Sequence, residues 1–220
     1  QFLIDNEKIK AQLEVQKNKP KKTSGFRSRL ENAMKEQQRL QEEKAKQPTP
    51  PSSIAPALPN LSQVLTRLAP LPQEALFLGM AIAGLPVLLN LYDPVPGPIL
   101  IAGSSSSGKT RLLQTIASAA EILHPSDYVQ YGVVTTKPNE WEKLYGNENN
   151  AGIYQTGEDN TSELLQSLVT WAHNNRGEGQ SILLLVDDLN ALTKMDEQTR
   201  QNLRWLLLRG PSRRVWPIIT

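Results

Sequence analysis

Cysteine is missing from all 220 residues. Its absence excludes a disulfide framework and any thiolate-held zinc or iron–sulfur centre. Histidine is scarce, with only His124 and His173, too few for a multi-histidine metal site. Aromatic residues make up only 5%, so the core must be built mainly from aliphatic side chains. The one long stretch without charge is Ala75–Tyr92, about the length of a membrane span. It is interrupted by Gly79, Gly84, Pro86 and Asn90. Gly84-Leu85-Pro86 therefore reads as a turn between two strands, not as the middle of a spanning helix.

What is present is unevenly spread. Apolar residues are 39% and charged residues 21%, enough apolar material for a packed core over most of the chain. The formal net charge of +2 conceals a split. Residues 1–47 hold 12 Lys+Arg and 7 Asp+Glu, and the rest holds 12 and 15. A basic arm thus precedes a slightly acidic body. In the arm, Phe26, Leu30, Ala33, Gln37 and Leu40 follow a short heptad-like stripe, which predicts a charged, solvated helix. Lys17, Lys19, Lys21, Lys22, Arg27 and Arg29 form a basic cluster able to meet phosphates or anionic lipid. Residues 48–60 contain five prolines and read as a semi-extended linker. Residues 61–220 read as one α/β domain. The chain closes inside the apolar run Val215–Thr220, so an internal piece of a longer protein is expected, with the domain incomplete at that end.

Within 61–220, strand and helix patterns alternate. A short helix is expected over Leu61–Leu68, capped by Asn60 or Ser62. Leu76–Ala83 and Val87–Tyr92 predict a hairpin. Strands are expected at Pro98–Ala102, Val129–Thr135, Ser181–Val186 and from Val215 to Thr220. Helices are expected at Lys109 to about Leu123, Glu163–Asn174 and Asp196–Leu208. Apolar strands alternating with amphipathic helices predict a buried, mostly parallel sheet.

Gly103-Ser104-Ser105-Ser106-Ser107-Gly108-Lys109-Thr110 fits the phosphate-loop pattern G-x-x-x-x-G-K-[ST]. An apolar strand precedes it, and a helix opening with Lys109, Thr110 and Arg111 follows. In that setting successive backbone N–H groups of the loop form an anion nest, reinforced by the helix N-terminus. Lys109 would reach the β- and γ-phosphates of ATP, and the Thr110 hydroxyl would ligate Mg²⁺. Gly103 and Gly108 allow backbone conformations that a side chain obstructs. Arg111 counts with the nucleotide-binding residues because it lies in the first turn of that helix.

Ile182-Leu183-Leu184-Leu185-Val186-Asp187-Asp188 is an apolar strand ending in acid, the Walker B pattern. At the C-terminal edge of a central strand, Asp187 would hold the Mg²⁺ through water or Thr110. Asp188 is the candidate base that orients the attacking water, and its alternative role is a helix cap.

In these features residues 76–220 resemble the FtsK/SpoIIIE–HerA branch of RecA-like motor ATPases. The family's hairpin L-G-x-x-I-x-G-x-P-V is matched by Leu78-Gly79-Met80-Ala81-Ile82-Ala83-Gly84-Leu85-Pro86-Val87. Its D-P-K motif with a later acid is matched in part by Thr135-Thr136-Lys137-Pro138-Asn139-Glu140, which lacks the Asp. Asp188 stands where many of these ATPases have Glu. The helix Leu164–His173 before the acidic strand is also similar, and Arg213 and Arg214 precede the last strand as an arginine does in the family's DNA pumps.

The resemblance implies a RecA-like fold and a ring of usually six subunits with nucleotide between them. It also implies an arginine finger drawn from Arg213 or Arg214, with Arg209 behind them. A polar γ-phosphate sensor is expected at or just beyond Thr220. The expected activity is ATP hydrolysis coupled to movement of double-stranded DNA. The alternatives are a conjugation or secretion ATPase of the same branch, or a scaffold that assembles on binding nucleotide. The implied location is cytoplasmic, and transmembrane segments upstream of Gln1 would set the basic arm beside the membrane.

Overall fold

The computed structural model describes residues 60–220. The charged arm, its basic cluster and the linker at 48–59 lie outside the described residues. Asn60 caps helix α1 (Leu61–Leu68) through a reciprocal capping box with Gln63, and Ser62 takes no part in it. Strands β1 (Ala75–Met80) and β2 (Pro86–Asn90) form an antiparallel hairpin. The charge-free segment is therefore a hairpin, as its Gly-Leu-Pro turn predicts. Among the described residues no helix is long and apolar enough to cross a membrane.

The main sheet has five parallel strands in the order β3-β7-β6-β4-β5. They are β3 (Ile99–Leu100), β4 (Val129–Thr135), β5 (Asn150–Gln155), β6 (Ser181–Asp187) and β7 (Val215–Ile219). Helix α2 (Lys109–Leu123) follows β3, α3 (Asp159–Asn174) follows β5, and the short α4 (Leu189–Leu192) and longer α5 (Glu197–Arg209) follow β6. Strand β3 is shorter than the apolar run suggests: Pro98 brings no N–H to a ladder, and the chain leaves the sheet soon after Ile101 N donates to Ile219 O at 2.7 Å. Strand β5 was not expected. Its Asn150-Ala151-Gly152 start breaks the apolar pattern, and as an edge strand it pairs only with β4. Helix α3 begins four residues earlier than its apolar stripe, because Asp159-Asn160-Thr161-Ser162 supplies a polar first turn that periodicity does not register.

Period-two alternation distributes the core to both faces of the sheet. In β6, Leu183 and Leu185 join Leu113, Ile116, Tyr131, Val133, Trp141 and Trp216 on the α2 face. Leu184 and Val186 join Leu165, Leu168, Leu203 and Leu206 on the face covered by α3 and α5. A strand buried on both sides must read as continuously apolar, which is why Ile182–Val186 has no polar member. Each fully buried leucine here is worth about 2 kcal/mol.

One tight contact fixes a chain reversal. Gly210 closes α5, and a Cβ added there would lie 2.3 Å from Leu206 O and 2.6 Å from Val215 O. Both are backbone atoms, so relief requires moving the start of β7. Gly210→Ala is expected to lower stability by about 2–3 kcal/mol, the upper part of the overpacking range. A urea melt should show a lower midpoint with an unchanged slope.

Candidate functional site

The site lies at the C-terminal edge of the parallel sheet, where open α/β folds bind ligands. Its floor is the loop from Gly103 to Gly108. Gly108 has φ +93°, a conformation that glycine adopts without penalty, and it starts α2. Gly103 spares the loop a contact of a different kind. Its backbone is not left-handed, but a Cβ there would meet Ser107 Oγ at 2.5 Å. Ser106 carries φ +61°, and Ser107 N donates to Ser104 O at 3.3 Å, so the loop curls on itself. Lys109 Nζ folds back onto the loop and donates to Gly103 O at 3.1 Å and Ser104 O at 3.0 Å.

The acidic strand meets the loop here. Thr110 Oγ1 sits 2.9 and 3.1 Å from the two carboxylate oxygens of Asp187. Two further hydroxyls converge on the same carboxylate. Thr220 Oγ1 donates to Oδ1 at 3.1 Å, and Thr135 Oγ1 lies 3.4 Å from Oδ2. Thr135 ends β4 and Thr220 directly follows β7, the two strands flanking β6. Thr220 also accepts from Asp188 N at 3.2 Å, and its carbonyl accepts from Leu189 N at 2.9 Å. Thr135 was noted in the sequence only as a departure from D-P-K. A hydroxyl ending an apolar strand next to the acidic strand is the signal that would have singled it out.

Asp188 is exposed at the rim, with φ +86°. Its Oδ1 accepts from Ala191 N at 3.2 Å, so it caps α4. Among the described residues, no hydrogen bond to its second carboxylate oxygen competes with a water.

Around these groups lies an open cleft of about 1120 Å³. It is lined by Gly103, Ser105–Gly108, Lys109, Thr110, Arg111, Asp187, Asp188 and Thr220, and also by Thr136, Lys137 and Glu140. Every residue of the loop and of the acidic strand end that the sequence singled out is thus brought together, with Ser104 at the loop's turn.

Arg213 and Arg214 are not brought there. They precede β7 and so lie at the opposite edge of the sheet from Thr220. Arg214 is buried; its guanidinium carbon lies 3.6 Å from the Tyr92 ring centroid, and its Nε donates to Gly177 O at 2.7 Å. Arg213 donates to Asn175 O at 3.0 Å. Both arginines pin the turn after α3. An arginine finger must be free to reach a neighbouring molecule's phosphates, and Arg214 is not. Arg209, in the last turn of α5, is exposed.

The donor set suits Mg²⁺. The ion takes hard oxygens and keeps several waters, so one hydroxyl and one carboxylate beside a phosphate loop suffice. Thr110 and Asp187 already stand at hydrogen-bond distance across the site. Mg²⁺ would be held by these two residues and would neutralise charge on the phosphates.

No family model matches the chain, and no curated protein is significantly similar to it. Solved structures are. The cytoplasmic domain of the Thermomonospora curvata Type VII Secretion ATPase EccC matches with a TM-score of 0.56 at 17% identity, over 69% of this chain and 19% of that one. EccC ATPases 2 and 3 from the same organism, in complex with a signal sequence peptide, match with a TM-score of 0.57 at 15% identity, over 75% and 30%. The cytoplasmic domain of EssC matches with a TM-score of 0.54 at 18% identity, over 86% and 40%. The chain thus shares the α/β fold of these ATPase domains. The chain spans less than half the length of each of these three proteins.

Proposed function

We propose that residues 61–220 form an ATP-binding and ATP-hydrolysing motor module dependent on Mg²⁺. The observation that carries this reading is the contact of Thr110 with Asp187 at 2.9 Å, which joins the phosphate loop to the acidic strand in one site. A triphosphate would lie in the loop's N–H nest, with Lys109 turning from the loop carbonyls to its β- and γ-oxygens. Water would attack the γ-phosphorus in line. The bond to the β–γ bridging oxygen breaks, ADP and phosphate form, and Asp188 accepts the water's proton.

The proposed track is a protein chain. Two facts favour it: the similar solved structures include type VII secretion ATPases, one of them holding a signal sequence peptide, and residues 48–220 are net acidic. A broad DNA surface would need the opposite sign of charge. Movement of double-stranded DNA by a ring of FtsK type is the competing reading, supported by the hairpin and the order of the strands in the sequence. In a ring, which in this branch usually has six subunits, Arg209 is the arginine we assign to a neighbour's site.

The full chain is expected to turn over ATP with Mg²⁺ and to stop when EDTA removes the ion. Acceleration by double-stranded DNA would overturn the choice of track. Nucleotide binding with no turnover above background would leave an assembly scaffold in place of a motor. Failure to bind nucleotide would refute the whole reading.

A further inference from the structure

The phosphate-loop pattern accounts for Lys109 but leaves a second lysine in the cleft without a role. Lys137 stands two residues beyond the end of β4, the strand beside the acidic strand. Its backbone N–H donates to Thr135 Oγ1 at 3.1 Å, and that hydroxyl lies 3.4 Å from Asp187 Oδ2. The Lys137 main chain is therefore two hydrogen-bond lengths from the carboxylate that would face Mg²⁺. A four-carbon stem easily spans that interval. Further along the same turn, Gln114 Nε2 of α2 donates to Glu140 O at 2.8 Å. The segment from Thr136 to Glu140 is thus tied at one end to the acidic strand and at the other to the helix that carries the phosphate loop.

Within that segment Lys137 Nζ lies 3.1 Å from Glu140 Oε1, with both side chains exposed. An exposed ion pair at this spacing adds little to the stability of the fold. Such a pair is also easily exchanged. A phosphate group offers a lysine more negative charge than a single carboxylate, in a cleft already shaped for phosphate.

We infer that Lys137 is a second phosphate-binding lysine that contacts the terminal phosphate of a bound nucleoside triphosphate, and that Glu140 holds it while that phosphate is absent. The inference rests on the ATP-binding reading and deepens it: Lys137 tells triphosphate from diphosphate. Lys109 reaches the β-phosphate, which ADP keeps, as well as the γ-phosphate, whereas Lys137 would approach from the Asp187 side and meet the γ-phosphate alone. ATP binding then exchanges one ion pair for another, and loss of phosphate returns Lys137 to Glu140.

The test is calorimetric titration of the full chain, with Mg²⁺ present, by ADP and by AMP-PNP, a triphosphate analogue that is not cleaved. Lys137→Ala is expected to weaken AMP-PNP by about 10-fold, the loss of one charge-assisted contact. ADP affinity should change by less than about twofold, which also reports an intact fold. Glu140→Gln frees Lys137 and is expected to strengthen AMP-PNP binding by about two- to threefold. Lys143→Ala, on the same turn but outside the cleft, should change neither. Equal losses for both nucleotides in Lys137→Ala, or no loss for either, would overturn the inference while leaving the ATP site standing. A wild-type chain that binds neither nucleotide would instead refute the ATP-binding reading.

Discussion

Lys109→Ala should reduce ATP turnover by about 10²–10³-fold, the scale of removing one preorganised donor from a developing charge. The structure gives the reason. The ammonium is held by two carbonyls of its own loop, Gly103 O and Ser104 O. An ammonium has three protons, so one remains to recruit the first phosphate oxygen that enters. Alanine leaves those carbonyls facing the polyphosphate without a cation between them, and like partial charges then oppose binding. The loss should therefore appear in nucleotide affinity as well as turnover. Lys109→Arg should not rescue either, because a planar fork cannot replace a point charge against both carbonyls of this curled loop. Titration with AMP-PNP and a phosphate-release assay read the two effects separately. Turnover above about a tenth of wild type would remove the nucleotide from this loop.

Most of this site could be read from the residues because two of its parts are local in the chain. The loop Gly103–Thr110 and the strand Ile182–Asp187 each carry their chemistry in a few consecutive positions, and the fold only has to place their ends together. Thr110 meeting Asp187 is that placement. What could not be read depends on neighbours brought in by topology. Thr135 and Thr220 are ordinary strand-end residues until β4 and β7 flank β6 and turn both hydroxyls toward one carboxylate. Sequence order places a polar residue at Thr220 but says nothing of its partner. The arginines also depend on distant segments. Arg213 and Arg214 stand where the resemblance expects a finger, and Tyr92 and the turn at Asn175–Gly177, which contact them, come from distant segments. Strand β5 escaped notice because an edge strand needs only one apolar face and one partner, which Asn150–Gln155 meets without a clear pattern.

The two acids at the end of β6 should separate cleanly under substitution. Asp187→Asn keeps the shape but gives up the charge that would face Mg²⁺, so its defect should deepen as Mg²⁺ is lowered and ease as it is raised. Asp188→Asn should show no such dependence. Asparagine is as good a helix cap as aspartate, and it tolerates the left-handed backbone that position 188 adopts at φ +86°. The hydrogen bond from Ala191 N therefore survives the change, and stability and nucleotide affinity stay near wild type. What disappears is the capacity to take a proton. If Asp188 is the base, turnover falls about 10²-fold with binding intact. Asp188→Ala removes the cap as well, and should add a stability loss of about 1 kcal/mol to the same kinetic defect. A thermal melt beside the phosphate-release assay distinguishes the two contributions. Full turnover in Asp188→Asn, with the stability loss confined to Asp188→Ala, would assign the residue to the cap alone. The base would then have to be sought among the other acids of the cleft, of which Glu140 is the one not engaged with Thr110 or α4.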